Sequence, residues 1–341
     1  MNPIRALSAA FALAVSSTST LAAHAQVAPK ARVSGPHTHD NLTLFLVHGP
    51  DRIVGTQFLT LEEAMRSKKL KVHETGEVSE LQVENRSDQP VFIQSGDIVK
   101  GGRQDRVLSR DLVVPPRSGK MSIASFCVEQ GRWSQRAGES VGQFSGSQAM
   151  LSSKDLKLAA RRDHSQQNVW NQVAVAQGKL AAKVGAEVAS ERSRTSLQLT
   201  LESEKVKRST KEYENALEGV VRNAPDVVGY AFAINGKINS AEVYASRELF
   251  LKLWPKLLQA AAVEALSERP ETRGPNAPAA AAAPPIGQAE VLTFMDRAEA
   301  AKITQDRKEK GVRNVVREQD GHVLLDAWNG KDLLHRTYLK E

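Results

Sequence analysis

The stretch that decides the fold is residues 227–244, VVGYAFAINGKINSAEVY. At its centre Asn235-Gly236 supplies the positive φ angles that a type I′ turn requires, and Tyr230-Ala-Phe232-Ala-Ile234 alternates large with small residues. The pattern predicts a β-hairpin. Directly after it, residues 247–267 read as a long helix with Leu249, Phe250, Leu253, Leu257 and Leu258 on one side. Pro255 removes a backbone hydrogen bond inside that helix, which predicts a kink or a break into two.

Working back toward the N-terminus, residues 147–221 form a helical block. Trp170, Val173, Gln177, Leu180 and Val184 recur at helical spacing, as do Tyr213, Leu217 and Val221, with charges between them. Before it, residues 42–128 read mainly as β-structure. Strands are expected at 42–48, 79–85, 91–95, 107–114 and 121–128, with a short helix at 59–68 that begins after Thr60. Ser87-Asp88-Gln89-Pro90, Gly101-Gly102 and Pro115-Pro116-Arg117-Ser118-Gly119 supply the turns between them. The composition predicts an α+β fold: an antiparallel β-rich core, sheet or sandwich, packed with amphipathic helices.

Residues 268–288 are a Pro/Ala-rich linker with nothing to bury, expected to be extended or disordered. Beyond it the pattern predicts a strand at 291–295, a charged helix at 297–310 and a three-stranded meander turning at Asp320-Gly321 and Asn329-Gly330. About fifty residues make a marginal core alone, so residues 41–341 read as one domain.

At the other end, residues 1–25 read as a cleavable signal peptide. Arg5 precedes an apolar run over 6–15, and Ala23-His24-Ala25 fits signal peptidase, leaving Gln26 as the new terminus. The run is too short for a membrane span, which needs about twenty apolar residues, and no later segment qualifies. The expected destination is the periplasm or the exterior. Residues 26–40 lack periodicity and are expected to be mobile. They contain His37, His39 and Asp40, but a flexible tail cannot orient ligands, so no metal is assigned. The formal net charge of +7 is interspersed with acids instead of gathered in a stripe, which argues against nucleic acid as a partner. Cys127 is the only cysteine, which excludes an intrachain disulfide.

The polar chemistry concentrates in two segments, Ser95-GDIVKGGRQD-Arg106 and Cys127-VEQGR-Trp133. Asp97, Gln104, Asp105, Arg106, Cys127, Glu129, Arg132 and Trp133 are the candidate site residues. Strand alternation puts Ser125, Cys127 and Glu129 on one face, with Phe126 and Val128 toward the core. Arg106 or Arg132 is the expected partner of Glu129, and Arg132 or another cation is expected to stack on Trp133. Two readings compete: a structural hydrogen-bonded network, or the wall of a pocket for a small polar or anionic ligand. A hydrolase or transferase using Glu129 or Asp97 as acid and base is the enzymatic alternative. A helical scaffold for protein partners is the third. No histidine is identifiable by spacing as a base for Cys127. The Gly96 to Gly101 spacing fails as a phosphate loop because Gly102-Arg103 stands where Lys-Ser/Thr belongs. There is no dinucleotide-binding glycine pattern, no HExxH and no nucleophile elbow, and no cofactor is indicated.

Three segments carry a family resemblance: VENRSDQPVFIQSGDIVKGGRQDRVL over 83–108, SFCVEQGRW ending at Trp133, and VGYAFAINGKINSAEVYASRELFLKLWPKLLQAAAVEAL ending at Leu266. In these the chain resembles the ARG and rhodanese-phosphatase-superfamily-associated protein domain. The resemblance spans about Leu42 to Leu266 and extends to the C-terminal strands. It implies an α+β domain without an established activity, associated with ADP-ribosylglycohydrolase, rhodanese and phosphatase proteins, and so hints at nucleotide-derived or signalling ligands.

Overall fold

The computed structural model describes residues 31–134, 136, 139, 142–271 and 286–341. The signal-peptide reading over 1–25 and most of the linker over 268–288 fall outside the described residues.

The chain opens with a hairpin of β1 (Arg32–His39) and β2 (Leu42–His48). This corrects the expectation of a mobile segment for residues 31–40; residues 26–30 lie outside the described residues. Most of β1 is only partly buried, so it carries no apolar rhythm, yet Val33 is buried and the whole strand pairs with the apolar β2. Next, β3 (Leu59–Thr60) leads into α1 (Leu61–Arg66). Thr60 Oγ1 accepts from the Glu63 amide, and the Glu63 carboxylate accepts from the Thr60 amide, a reciprocal cap that fixes the start of the helix.

Short strands follow: β4 (Leu70–Glu74), β5 (Glu80–Asn85), β6 (Val91–Ile93), β7 (Asp97–Gly101), β8 (Arg106–Leu108), β9 (Leu112–Val114), β10 (Met121–Cys127) and β11 (Phe144–Met150). The single strand expected over 107–114 is two, β8 and β9, which join different sheets. The helical block also starts later than expected, because Ser147 to Met150 belong to β11. It then runs as α2 (Lys154–Arg161), α3 (Gln166–Val184), α4 (Leu197–Leu201) and α5 (Glu204–Leu217).

The predicted hairpin is β12 (Val227–Ile234) and β13 (Lys237–Tyr244), with φ of 52° at Asn235 and 71° at Gly236. It is followed by α6 (Arg247–Ser267), one continuous helix that contains Pro255. Pro255 lies on the exposed side, where solvent compensates the lost backbone bond.

After the linker the expectations need correction. Residues 291–295 are not a strand but part of α7 (Gln288–Glu299), because Val291, Phe294, Met295 and Ala298 bury one helical face. The helix expected over 297–310 is the end of α7 and then β14 (Lys302–Glu309), an exposed strand whose order comes from pairing with its neighbour. With β15 (Val312–Gln319), β16 (His322–Asn329) and β17 (Asp332–Lys340) it makes a meander of four strands instead of three.

An eight-stranded antiparallel sheet has the order β1-β2-β12-β13-β17-β16-β15-β14. Helix α6 covers one face through Leu249, Phe250, Leu253 and Leu257 against Tyr230, Phe232 and Tyr244, and α7 covers the other through Val291 and Phe294 against Phe45 and Leu324. A six-stranded sheet, β11-β7-β8-β10-β5-β4, curls until α1 packs against both of its edge strands. The small sheet β3-β6-β9 completes its core, with β3 and β6 parallel.

Candidate functional site

The two polar segments meet because β8 pairs with β10, setting Arg106 opposite Cys127. Asp105 and Glu129 therefore leave adjacent strand ends. The Asp105 amide donates to Glu129 Oε2 at 3.1 Å, and Gln104 Nε2 donates to the Glu129 carbonyl at 3.0 Å. Arg132 grips Glu129 through Nε at 2.7 Å, the second of the two pairings expected, and also donates to the carbonyls of Gly101 and Gly102.

Arg106 corrects the other pairing. Its guanidinium donates to Gln104 and lies 3.4 Å from Glu74 Oε1, so Glu129 has no share of it. The partner missed from sequence is Arg136, which binds Asp105 with two parallel bonds of 2.8 and 2.6 Å. Such a fork is among the stronger charge-assisted geometries. Ser196 Oγ adds a third donor to Asp105 at 2.8 Å while capping α4 through the Leu199 amide.

This clasp is sealed. Asp105, Arg106, Cys127 and Glu129 have no exposed surface, and Gln104 and Arg136 have at most 5%. Arg136 also bonds Glu139, so three carboxylates, Asp105, Glu129 and Glu139, share the guanidiniums of Arg132 and Arg136. Burial works against the Glu129 charge, but Arg132, Ser193 and the Asp105 amide outweigh it and hold the carboxyl below its ordinary range. For Asp105, burial is the larger influence and raises the carboxyl despite Arg136.

The remaining candidates divide. Cys127 Sγ lies 2.8 Å from Gln104 Oε1, and burial, only partly countered by Arg106, pushes its thiol up to about 11, so it is not a poised nucleophile. On β10 the alternation holds: half-buried Phe126 packs, as expected, against an apolar cluster that contains buried Val128, while the Cys127 face is the deeper one. Trp133 is 44% exposed, and the cations over it are Arg103 and Arg106, at 5.4 and 5.6 Å. Asp97 does not join the clasp. It pairs with Lys256 of α6 at 2.6 Å and accepts from the Gln94 amide. Neither Asp97 nor Glu129 is open to a substrate.

A second buried array was not foreseen. His335 on β17 bonds Asp111 through Nδ1 at 2.9 Å and Glu242 on β13 through Nε2 at 2.8 Å. Lys157 of α2 reaches Glu242 at 2.7 Å, and Arg161 lies 3.6 Å from Asp111. Burial opposes charge on the imidazole, but Asp111 and Glu242 outweigh it and raise His335 above its usual range. The array pins the large sheet to the β8–β9 loop and to α2. Glu242 stands among apolar residues in mid-strand, a sequence signal of a buried partner that was available.

Beside the clasp lies an open cleft of about 700 Å³. Its floor is β11, one wall is α1 with β4, and the other is α4 with Lys207 of α5. Gly101 and Gly102 join it to the clasp: a Cβ on Gly101 would stand 2.5 Å from the Gln143 carbonyl oxygen, and one on Gly102 2.3 Å from the Phe144 ring. Only glycine lets β11 approach so closely. Arg66, Lys68, Lys71, Arg86 and Lys207 line the cleft against Glu62 and Glu202, with Met65, Leu70, Val72, Phe144 and Leu201 supplying apolar surface. None of the eight sequence candidates lines it.

The sequence pattern of the ARG and Rhodanese-Phosphatase-superfamily-associated Protein domain matches residues 30–339. The chain belongs to this family. The match is wider than the segments that carry the resemblance, taking in β1 and the whole C-terminal meander. The domain is thus a single pattern that includes strands on both sides of the linker. No curated protein and no solved structure matches the chain. Among the described residues no helix is long and apolar enough to cross a membrane.

Proposed function

We propose that this family member is an exported protein that binds a small anionic ligand in the cleft over β11, and that the clasp of Asp105, Glu129, Arg132 and Arg136 is the structural element that holds the cleft's walls. This moves the ligand away from the GDIVKGGRQDR and CVEQGRW segments themselves, whose carboxylates are already paired, Asp97 with Lys256, Asp105 with Arg136 and Glu129 with Arg132. The observation that carries the reading is the excess of cations over carboxylates around a cleft of ligand size with partly apolar walls. Glu62 is already paired with Arg66 and Glu202 with Lys100, so the acids in the lining do not offset Lys68 and Lys71. The clasp bears on the cleft through Ser196, which caps α4, and through Gly102, which seats Phe144.

The test is a thermal-shift and titration series on the chain lacking residues 1–25, with inorganic phosphate, citrate and nucleoside mono- and diphosphates. Lys71 is exposed, so Lys71→Glu leaves the fold intact. A ligand bound here raises Tm of the unmodified protein and loses roughly five- to tenfold in affinity in the variant, about 1 kcal/mol or slightly more. Equal affinity in Lys71→Glu, or no shift with any anion at millimolar concentration, overturns the reading.

A further inference from the structure

A separate cleft of about 350 Å³ is enclosed by the start of α2, by α3, by the β12–β13 hairpin and by the end of α6. Its floor is polar and incomplete. Glu264 is 5% exposed and Asn239 7%. Both bonds to the Glu264 carboxylate fall on Oε1, from the Lys154 amide at 3.0 Å and from Asn239 Nδ2 at 3.0 Å. Asn239 Oδ1 is buried without a partner.

The neighbouring cations do not supply the missing donors. Lys157 is committed to Glu242 at 2.7 Å, Lys179 to Glu268 at 2.5 Å, and Lys154 Nζ to the Lys340 carbonyl at 2.7 Å. Asn239 Oδ1 is therefore a buried acceptor without a donor, beside the Glu264 carboxylate with which no described cation pairs, an arrangement that costs free energy until a donor arrives. Burial accordingly raises the Glu264 carboxyl above its ordinary range. Above the floor one stretch of wall is apolar, with Ile234, Ile238 and Ala176, among polar residues that include Asp155, Gln172 and exposed Lys237.

We propose that this cleft binds a small zwitterion of the ω-amino-acid type, its ammonium group on Glu264 and Asn239 Oδ1 and its carboxylate toward Lys237. An ammonium brings three N–H donors and the one charge that stabilises an ionised Glu264 in a buried setting. The apolar stretch of wall suits a methylene chain between the two ends. This inference is independent of the anion-binding cleft.

Calorimetric titration of the chain lacking residues 1–25 with 5-aminopentanoate, pentylamine and pentanoate tests it. The expected result is binding of 5-aminopentanoate, about tenfold weaker binding of pentylamine and none of pentanoate. Glu264→Gln, which keeps the side chain's shape, should lower 5-aminopentanoate affinity at least tenfold. Lys237→Gln, at an exposed position that cannot disturb folding, should lower it roughly fivefold while leaving pentylamine unchanged. The proposal is overturned if the folded protein does not bind 5-aminopentanoate, if pentanoate binds equally well, or if a Glu264→Gln protein of native circular dichroism binds as the unmodified one does. Should Glu264→Gln fail to fold, the Lys237→Gln comparison decides alone.

Discussion

At the scale of single residues, the clasp shows how a buried charge depends on its partner. Asp105 has no exposed surface, and its negative charge is tolerated because Arg136, Ser196 and the Gly101 amide all donate to it. Arg136→Met removes two of the charge-assisted bonds and keeps most of the side-chain volume. We expect a loss of about 3–5 kcal/mol, the usual result of stranding a buried carboxylate, measured by denaturant unfolding. A loss below about 1 kcal/mol would mean that Arg132, 3.9 Å from Asp105, takes over the pairing. Sequence reading found Asp105, Glu129 and Arg132 because glycines and charges cluster around them. Arg136 lay three residues beyond the quoted motif, and nothing in its spacing distinguishes it from a solvated arginine.

At the scale of elements, two serines with the same local task separate capping from clasping. Ser165 and Ser196 each accept an amide from the first turn of a helix, α3 and α4. Only Ser196 also donates to a buried carboxylate, at 2.8 Å. Ser165→Ala should therefore cost about 1 kcal/mol, as a lost cap does, and Ser196→Ala about 2–3 kcal/mol, with the added share from the bond to Asp105. Equal losses in thermal unfolding would show that the hydroxyl contributes only as a cap. Elements were legible where local chemistry is strong: Thr60 with Glu63 at α1, Asn235-Gly236 between β12 and β13, Asp320-Gly321 between β15 and β16. They were misread where pairing across the chain supplies the order. β1, half-buried, and β14, mostly exposed, lack an apolar rhythm and exist because β2 and β15 lie beside them. For α7, the short apolar run at 291–295 fits strand and helix alike, and the burial of Ala298 one turn later decides it. The cleft over β11 was not legible at all, since its lining comes from segments more than a hundred residues apart.

At the scale of the whole molecule, the Asp111–His335–Glu242 array joins the eight-stranded sheet to the β8–β9 loop between the two smaller ones and should make stability depend on pH. The folded state holds the His335 proton more tightly than the unfolded chain, whose histidine has the ordinary value of 6.5. Its contribution is complete below that value and is lost as pH rises through the raised folded value. Asp111 and Glu242 are both lowered; burial opposes their charges but the cations around them outweigh it, so their contribution is complete above the ordinary carboxylate range and declines as pH falls below it. Maximum stabilisation from the array thus falls at about pH 5 to 6.5. We expect Tm of the unmodified protein to fall between pH 6 and pH 9, and to fall less in His335→Gln. Parallel pH profiles for the two proteins would remove the array from the account of stability.

The strand order of the large sheet also fixes when the molecule can become itself. β17, the last nine residues before Glu341, pairs with β13 on one side and β16 on the other. Until that segment leaves the ribosome, β13 and β16 each lack a neighbour and His335 is absent from its array. Closing the sheet between β13 and β16 is therefore a long-range event, slow by the measure of sequence separation.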